Sequence, residues 1–118
     1  MINQITLVGR IVDDVVLKNV KESGVSVTKI RLAVQRNFKN AETLEYDTDY
    51  INCTLWAGIA EAASQYCKKG NVVGVRGRLQ NNVFTYQDDK KFYYNDIICE
   101  KLTFISSNAE KALEKEEE

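Results

Sequence analysis

The sequence predicts an all-β domain with one short helix, closed into a small five-stranded barrel. Three observations carry that prediction. Five stretches are rich in apolar residues at strand spacing. One stretch between the third and fourth of them changes to the period of a helix. A switch of apolar parity inside the second implies the sharp bend that small barrels need.

ITLVGRIV (5–12) is the first strand, and its apolar residues on both parities predict burial on both sides. KESG around Lys21 to Gly24 is a turn. In VSVTKIRLAVQR the apolar positions move from Val25 and Val27 to Ile30, Leu32 and Val34, which implies a bulge or sharp coil near Thr28 and Lys29. NFKNAETLE reads as a loop, and YDTDYINCTLW as the third strand, with Ile51, Cys53 and Leu55 inward. GIAEAASQYCKKG then puts Ile59, Ala62, Ala63, Tyr66 and Cys67 on one helical face. Lys68 and Lys69 suit its C-terminal dipole, and Gly70 suits the position just past its end. VVGVRGRLQ returns to alternation, with Val73, Val75 and Leu79 inward and Arg76, Arg78 and Gln80 outward. NVFTY, a turn at QDDKK, and FYYNDIICEKLTFI complete a long hairpin. Three strands, a helix and two further strands are the order of an OB-fold, a Greek-key barrel with its helix between the third and fourth strands.

Composition excludes several classes of function. The 118 residues suit one domain, with 44% hydrophobic and 28% charged residues. No apolar run approaches a membrane span, and MINQITLVGR lacks a signal-peptide pattern, so a cytoplasmic location is expected. There is no histidine, and Cys53, Cys67 and Cys99 read as buried thiols with no metal-ligand spacing. Asp47 and Asp49 share a strand face as paired carboxylates would, but solvated residues at the strand's start fit them better. GVRGRL contains GxxG inside an alternating strand, where the glycines permit barrel curvature or close backbone approach rather than a phosphate loop. No catalytic, metal or cofactor site is expected. The overall charge of -1 hides AEKALEKEEE (109–118), whose five acids and two lysines leave the preceding 108 residues at +2. The expected division is therefore a domain over 1–106 and an acidic, unstructured tail over 107–118, where Glu110, Glu114 and Glu118 repel at i,i+4.

Basic and aromatic residues interleave on the polar strand faces. Lys29 and Arg31 oppose Ile30 and Leu32, and Arg36 and Phe38 enter the following loop. Tyr50 and Trp56 share one side of the third strand, Arg76 and Arg78 one side of the fourth, and Phe84 and Tyr86 one side of the hairpin's first arm. Flat aromatics capture bases by stacking while cations track the backbone. Any single Trp or Phe on a strand is more often core; several facing away from aliphatic sides together favour a nucleic-acid surface. Tyr66, Phe92 and Phe104 read as structural. Ile5, Leu7, Val8 and Ile11 give the first strand more apolar surface than one barrel hides, which predicts self-association.

MINQITLVGRI, IRLAVQRNF, DYINCTLW, AEAASQYCKKG and VGVRGRLQ, in this order and spacing, resemble the bacterial single-stranded DNA-binding protein family over about residues 1–105. The resemblance implies an OB-fold that forms homotetramers, with a dimer as the alternative, and wraps single-stranded DNA. By motif position it implies stacking residues at Phe38, Tyr50, Trp56 and Phe84, in agreement with the parity reading. The family's long Gly-rich linker and acidic tip with a hydrophobic end have no counterpart in KALEKEEE, and VDDVVLK lacks the expected proline. A short paralogue, a mobile-element version and a truncated chain are the alternatives, and recruitment of replication and recombination proteins loses its basis. The expected function is non-enzymatic, sequence-independent binding and protection of single-stranded DNA in replication, recombination, repair or DNA uptake, in the nucleoid. The alternative is a primosome-like assembly factor whose aromatic face binds a protein.

Overall fold

Alternation along five long strands sends one set of side chains inward, and the order of pairing closes those strands on themselves. The structure, a computed structural model, describes residues 1–106; the expected tail, 107–118, lies outside the described residues. The elements are β1 (Ile5–Ile11), β2 (Lys18–Asn19), β3 (Ser26–Lys39), β4 (Tyr46–Trp56), α1 (Ala57–Tyr66), β5 (Val72–Gln87) and β6 (Lys90–Ser106). The sheet order is β1-β5-β6-β4-β3-β2, and a further β1–β3 pairing closes a five-stranded barrel. All pairings are antiparallel except β4 with β6. This is the OB-fold arrangement, with β2 as a two-residue addition at the edge of β3.

Closure demands close backbone contact at two glycines. A Cβ on Gly9 would stand 2.8 Å from the Ala33 carbonyl oxygen, where β1 crosses β3. A Cβ on Gly77 would collide with the Ile98 carbonyl, where β5 meets β6 beside a register shift. Of the two glycines in GVRGRL, Gly77 serves close backbone approach, one of the two roles expected there, while Gly74 has room for a Cβ.

The interior holds Ile11, Ile30, Leu32, Cys53, Leu55, Val73, Val75, Ile97 and Cys99, and α1 packs Ala60 and Ala63 into the same core. Each fully buried aliphatic side chain contributes about 1.5–3 kcal/mol against exposure. The three cysteines are buried and free, as expected. Burial pushes the Cys53 thiol up to about 12 and the Cys99 thiol to about 11. Neither is a ready nucleophile.

Several expectations require correction. There is no bulge at Thr28 and Lys29: β3 and β4 stay in register from Val27 to Gln35. Ser26 and Thr28 occupy inward positions because their hydroxyls have partners, Glu61 Oε1 at 3.0 Å and the Val16 carbonyl at 2.8 Å. The irregularity falls later, between Gln35 and Lys39, and β3 runs on through Phe38 rather than yielding to a loop. α1 ends at Tyr66, so Gly70 (φ 95°) is not its cap but part of the turn into β5, donating its N–H to the Ile11 carbonyl. Ala60, not Ala62, supplies the buried face with Ala63. Leu79 keeps the parity of Val73 and Val75, yet β5 has already left the barrel there and Leu79 is exposed. The Asn3 side chain brackets the Leu79 backbone, donating to its carbonyl at 2.7 Å and accepting its N–H at 2.9 Å. Tyr66, Phe92 and Phe104 are at the surface.

β1 is buried on one side only. Ile11 is 1% exposed and Ile5 and Leu7 pack on the core, so these three already have their cover, while Val8 is 55% exposed. Of the four residues expected at a subunit contact, Val8 alone is freely available.

The strand-to-helix junction stores strain that can be released. Ala57 opens α1 with φ 53°, a left-handed conformation that costs a Cβ-bearing residue about 1–2 kcal/mol. Ala57→Gly should raise stability by about 1 kcal/mol in chemical denaturation; a loss of stability would show that the conformation carries no strain.

Candidate nucleic-acid interface

The outward face of the β3–β4 ladder is set by its register. Val27 stands opposite Trp56, Lys29 opposite Thr54, Arg31 opposite Asn52, and Ala33 opposite Tyr50. Directly opposed residues point to the same side, so Trp56, Lys29, Arg31 and Tyr50 share one surface. Trp56 is 41% and Tyr50 59% exposed, and six residues of strand separate them by roughly 20 Å at ~3.3 Å per residue. The Arg31 guanidinium lies 5.1 Å from the Tyr50 ring centroid and 3.8 Å from an Asp13 carboxylate oxygen. A cation over the ring restrains it, and the residue stays largely exposed. Lys29 makes no ion pair among the described residues.

The same face continues without a break onto the hairpin. Thr54 pairs with Ile98, and its hydroxyl donates to Asp96 at 2.6 Å. Asp96 stands opposite Gln80, and Ile98 opposite Arg78. From there Asn82 opposes Tyr94, and Phe84 opposes Phe92, with Tyr86 two residues further along. Arg78 donates to Gln80 at 2.6 Å and Gln80 to Asn82 at 2.7 Å, a ladder of polar contacts joining the barrel to the aromatic arm. Phe92 and Tyr94 stack with ring centroids 6.1 Å apart. Three aromatics, Phe84, Phe92 and Tyr94, therefore occupy one side of the arm, while Tyr93 and Val83 occupy the other; Tyr86 falls in the register shift between Thr85 and Gln87.

Phe92 and Tyr94 are the members that sequence reasoning missed. Their signal was present: both share the parity of Asp96, four and two residues on, but only the hairpin register ties that parity to Phe84.

Other candidates lie elsewhere. Arg36 alternates to the opposite side of β3 from Arg31, where its guanidinium grips Asp49 through contacts of 2.9, 3.1 and 3.2 Å, with Asp47 at 3.8 Å. The hydrogen bonds from Arg36 hold the Asp49 carboxyl below its ordinary range, and Asp49 raises Arg36 in turn. The aspartate pair is solvated near the strand's start, as expected, and also engages the Arg36 guanidinium. Phe38 is exposed on the same extension of β3. Arg76 opposes Thr6 and Lys101 and borders a depression between β1 and β6, remote in register from Trp56. Exposed aromatics spaced along a sheet, with cations between them, can stack planar rings and hold a polyanionic chain.

Comparisons with known proteins bear on the family and the fold. The model of the single-strand binding protein family matches residues 2–105. The chain is 39% identical over 105 residues to the single-stranded DNA-binding protein B of Bacillus subtilis, covering 89% of this chain and 91% of that one. It is also 39% identical to the single-stranded DNA-binding protein of Bacillus cereus and 36% identical to that of Enterococcus faecalis, spanning only 61% and 57% of their lengths. Among solved structures, a Plasmodium falciparum SSB in complex with single-stranded DNA superposes with a TM-score of 0.76 at 23% identity. That match covers 90% of this chain and 97% of the other, and it supports the fold. With a family match spanning nearly all of the described residues, and a relative this similar over nearly its whole length, the chain belongs to the single-strand binding protein family.

Proposed function

We propose that the protein binds and protects single-stranded DNA without sequence preference, residues 1–106 forming the binding domain. The single observation that carries this reading is the continuous sheet face from Tyr50 and Trp56 through Thr54 and Asp96 to the aromatic arm. The family is one of binding proteins, and the chain is not an enzyme. Trp56, Tyr50, Phe84 and Tyr86 stack bases, with Phe92 and Tyr94 extending the platform and Phe38 contributing from the β3 extension. Lys29 and Arg31 hold the phosphate backbone between the two strand aromatics, and Arg78 does so at the root of the arm. Arg36 and Arg76 have secondary parts, the first because two carboxylates engage it, the second because it lies off this face. A place in replication, recombination, repair or DNA uptake, in the cytoplasm, belongs to the same proposal, and the names of the bacterial relatives support its common step, the binding of single-stranded DNA. Among the described residues no helix is long and apolar enough to cross a membrane.

Binding should favour single over double strands and weaken steeply with salt, with log affinity falling by about 0.7 per phosphate contacted for each unit of log salt. An oligothymidylate should quench the emission of Trp56, the chain's one tryptophan, saturably and reversibly with salt. Trp56→Ala should lose about 1–3 kcal/mol of binding. Unchanged emission at saturating oligonucleotide, or equal affinity for duplex, refutes the reading.

The hairpin faces allow an internal comparison. Phe92→Ala removes a ring from the side shared with Phe84 and should weaken binding, whereas Tyr93→Ala removes one from the other side and should leave affinity unchanged. An equal loss from both would place the DNA on both sides of the arm.

Self-association belongs to the same proposal. Val8, Gly74 and Ile105 form an apolar strip on the outer side of β1, β5 and β6, with Thr6 and Thr103 beside it. A symmetric contact there, as a tetramer or a dimer, would cover Val8 and Ile105. Light scattering at micromolar concentration should give a multiple of 13.4 kDa, and Val8→Lys should lower it; a monomeric mass for the parent contradicts the proposal.

A further inference from the structure

We propose that Lys18, carried by the two-residue strand β2, contacts the phosphate of the nucleotide whose base lies on Trp56. The inference rests on the proposed function and deepens it. Lys18 stands opposite Val27 in the β2–β3 pairing, and Val27 stands opposite Trp56 in the β3–β4 pairing. Opposed residues share a side, so Lys18, Val27 and Trp56 form one row across three strands on the aromatic face. The next residue, Asn19, turns the other way and accepts a hydrogen bond from the inward Ser26 hydroxyl at 3.2 Å. With strands about 4.8 Å apart, the Lys18 and Trp56 backbones are roughly 10 Å from each other. An extended lysine side chain and the sugar of a stacked nucleotide together bridge such a gap.

The backbone that presents Lys18 is fixed. The Thr28 hydroxyl holds the Val16 carbonyl at 2.8 Å, and beyond β2 the Val20 N–H donates to the Val25 carbonyl at 2.9 Å. Lys18, Val27, Thr28 and Lys29 line one depression together with Val16 and Asp14, and Val27 stands opposite Trp56 in the ladder. Two ammonium groups face one carboxylate, and neither lysine has an ion pair among the described residues. The site is therefore positive where a stacked nucleotide would carry its charge, and Val27 supplies an apolar floor between the cation and the indole.

The test is a salt titration of oligothymidylate binding, read by Trp56 emission, for the parent and three variants. Lys18→Gln should reduce the slope of log affinity against log salt by about 0.7 while the saturating quench stays at the parent's value. Lys18→Arg should restore the slope. Lys21→Gln, which removes a charge from the turn beyond β2, should keep the parent's slope. A parent slope in Lys18→Gln, with quenching intact, overturns the Lys18 assignment and leaves the proposed function standing. A parent that neither binds nor quenches overturns both. Unfolding curves of the variants should coincide with the parent's, because Lys18 is exposed; a slope change accompanied by a lower midpoint for Lys18→Gln but not Lys18→Arg would still assign the charge, and one shared by both would overturn it.

Discussion

The double pairing of β1 is the constraint on which the rest of the structure depends. One edge of this seven-residue strand binds β5, and the other binds β3 at Arg10 and Ile11. Closure fixes which parity of every other strand faces the core, and so which parity faces solvent. Gly9 and Gly77 make it sterically feasible, since each backbone comes too close to a neighbour for a side chain. With a core of only about a dozen buried apolar residues, small thiols fill places where larger side chains would overpack. The outer face owes the interior nothing in packing, and it can carry rings and cations.

That outer face is not uniformly electropositive. Arg36 is bound to Asp49 and Asp47, and Arg31 is shared between Asp13 and the Tyr50 ring. Exposed ion pairs are individually weak, but a bidentate grip fixes where a guanidinium can point. Lys29 has no such partner and offers its charge to whatever arrives. The arrangement places mobile charge beside Trp56 and restrained charge beside Tyr50, so one end of the face adapts while the other is preset.

The β5–β6 arm extends the face without a core of its own. Its two strands turn at Asp88 and Asp89, the latter at φ 67°, and its rings gain from one another what they do not gain from burial. The Phe92–Tyr94 stack, opposite Phe84 in the register, helps rigidify a ribbon that would otherwise be marginal. Its polar ladder, Arg78 to Gln80 to Asn82, ties that ribbon to the barrel on the aromatic side.

Much of this was legible in the residues. Alternation in YINCTLW put Tyr50 and Trp56 opposite Ile51, Cys53 and Leu55, and the structure keeps that division. The change of period after Trp56 marked the helix, and the QDDKK turn marked the hairpin. What failed did so where an inward position is filled by something other than an aliphatic side chain, or where a chain leaves the core. Ser26 and Thr28 broke the apolar pattern of β3 without breaking the strand, because partners 35 and 12 residues away satisfy their hydroxyls. Leu79 kept its parity and lost its cover, because periodicity says which way a side chain points and not whether anything is there. β2 is too short to possess a period at all, and only its pairing with β3 puts Lys18 in the row of Trp56. The sequence by itself determined the strands, the helix and the two-sided character of each strand, since these follow from spacing along one chain. Tertiary structure decided which polar faces join, because register between distant strands depends on barrel closure and on hydrogen bonds such as Thr54 to Asp96 that no local spacing encodes.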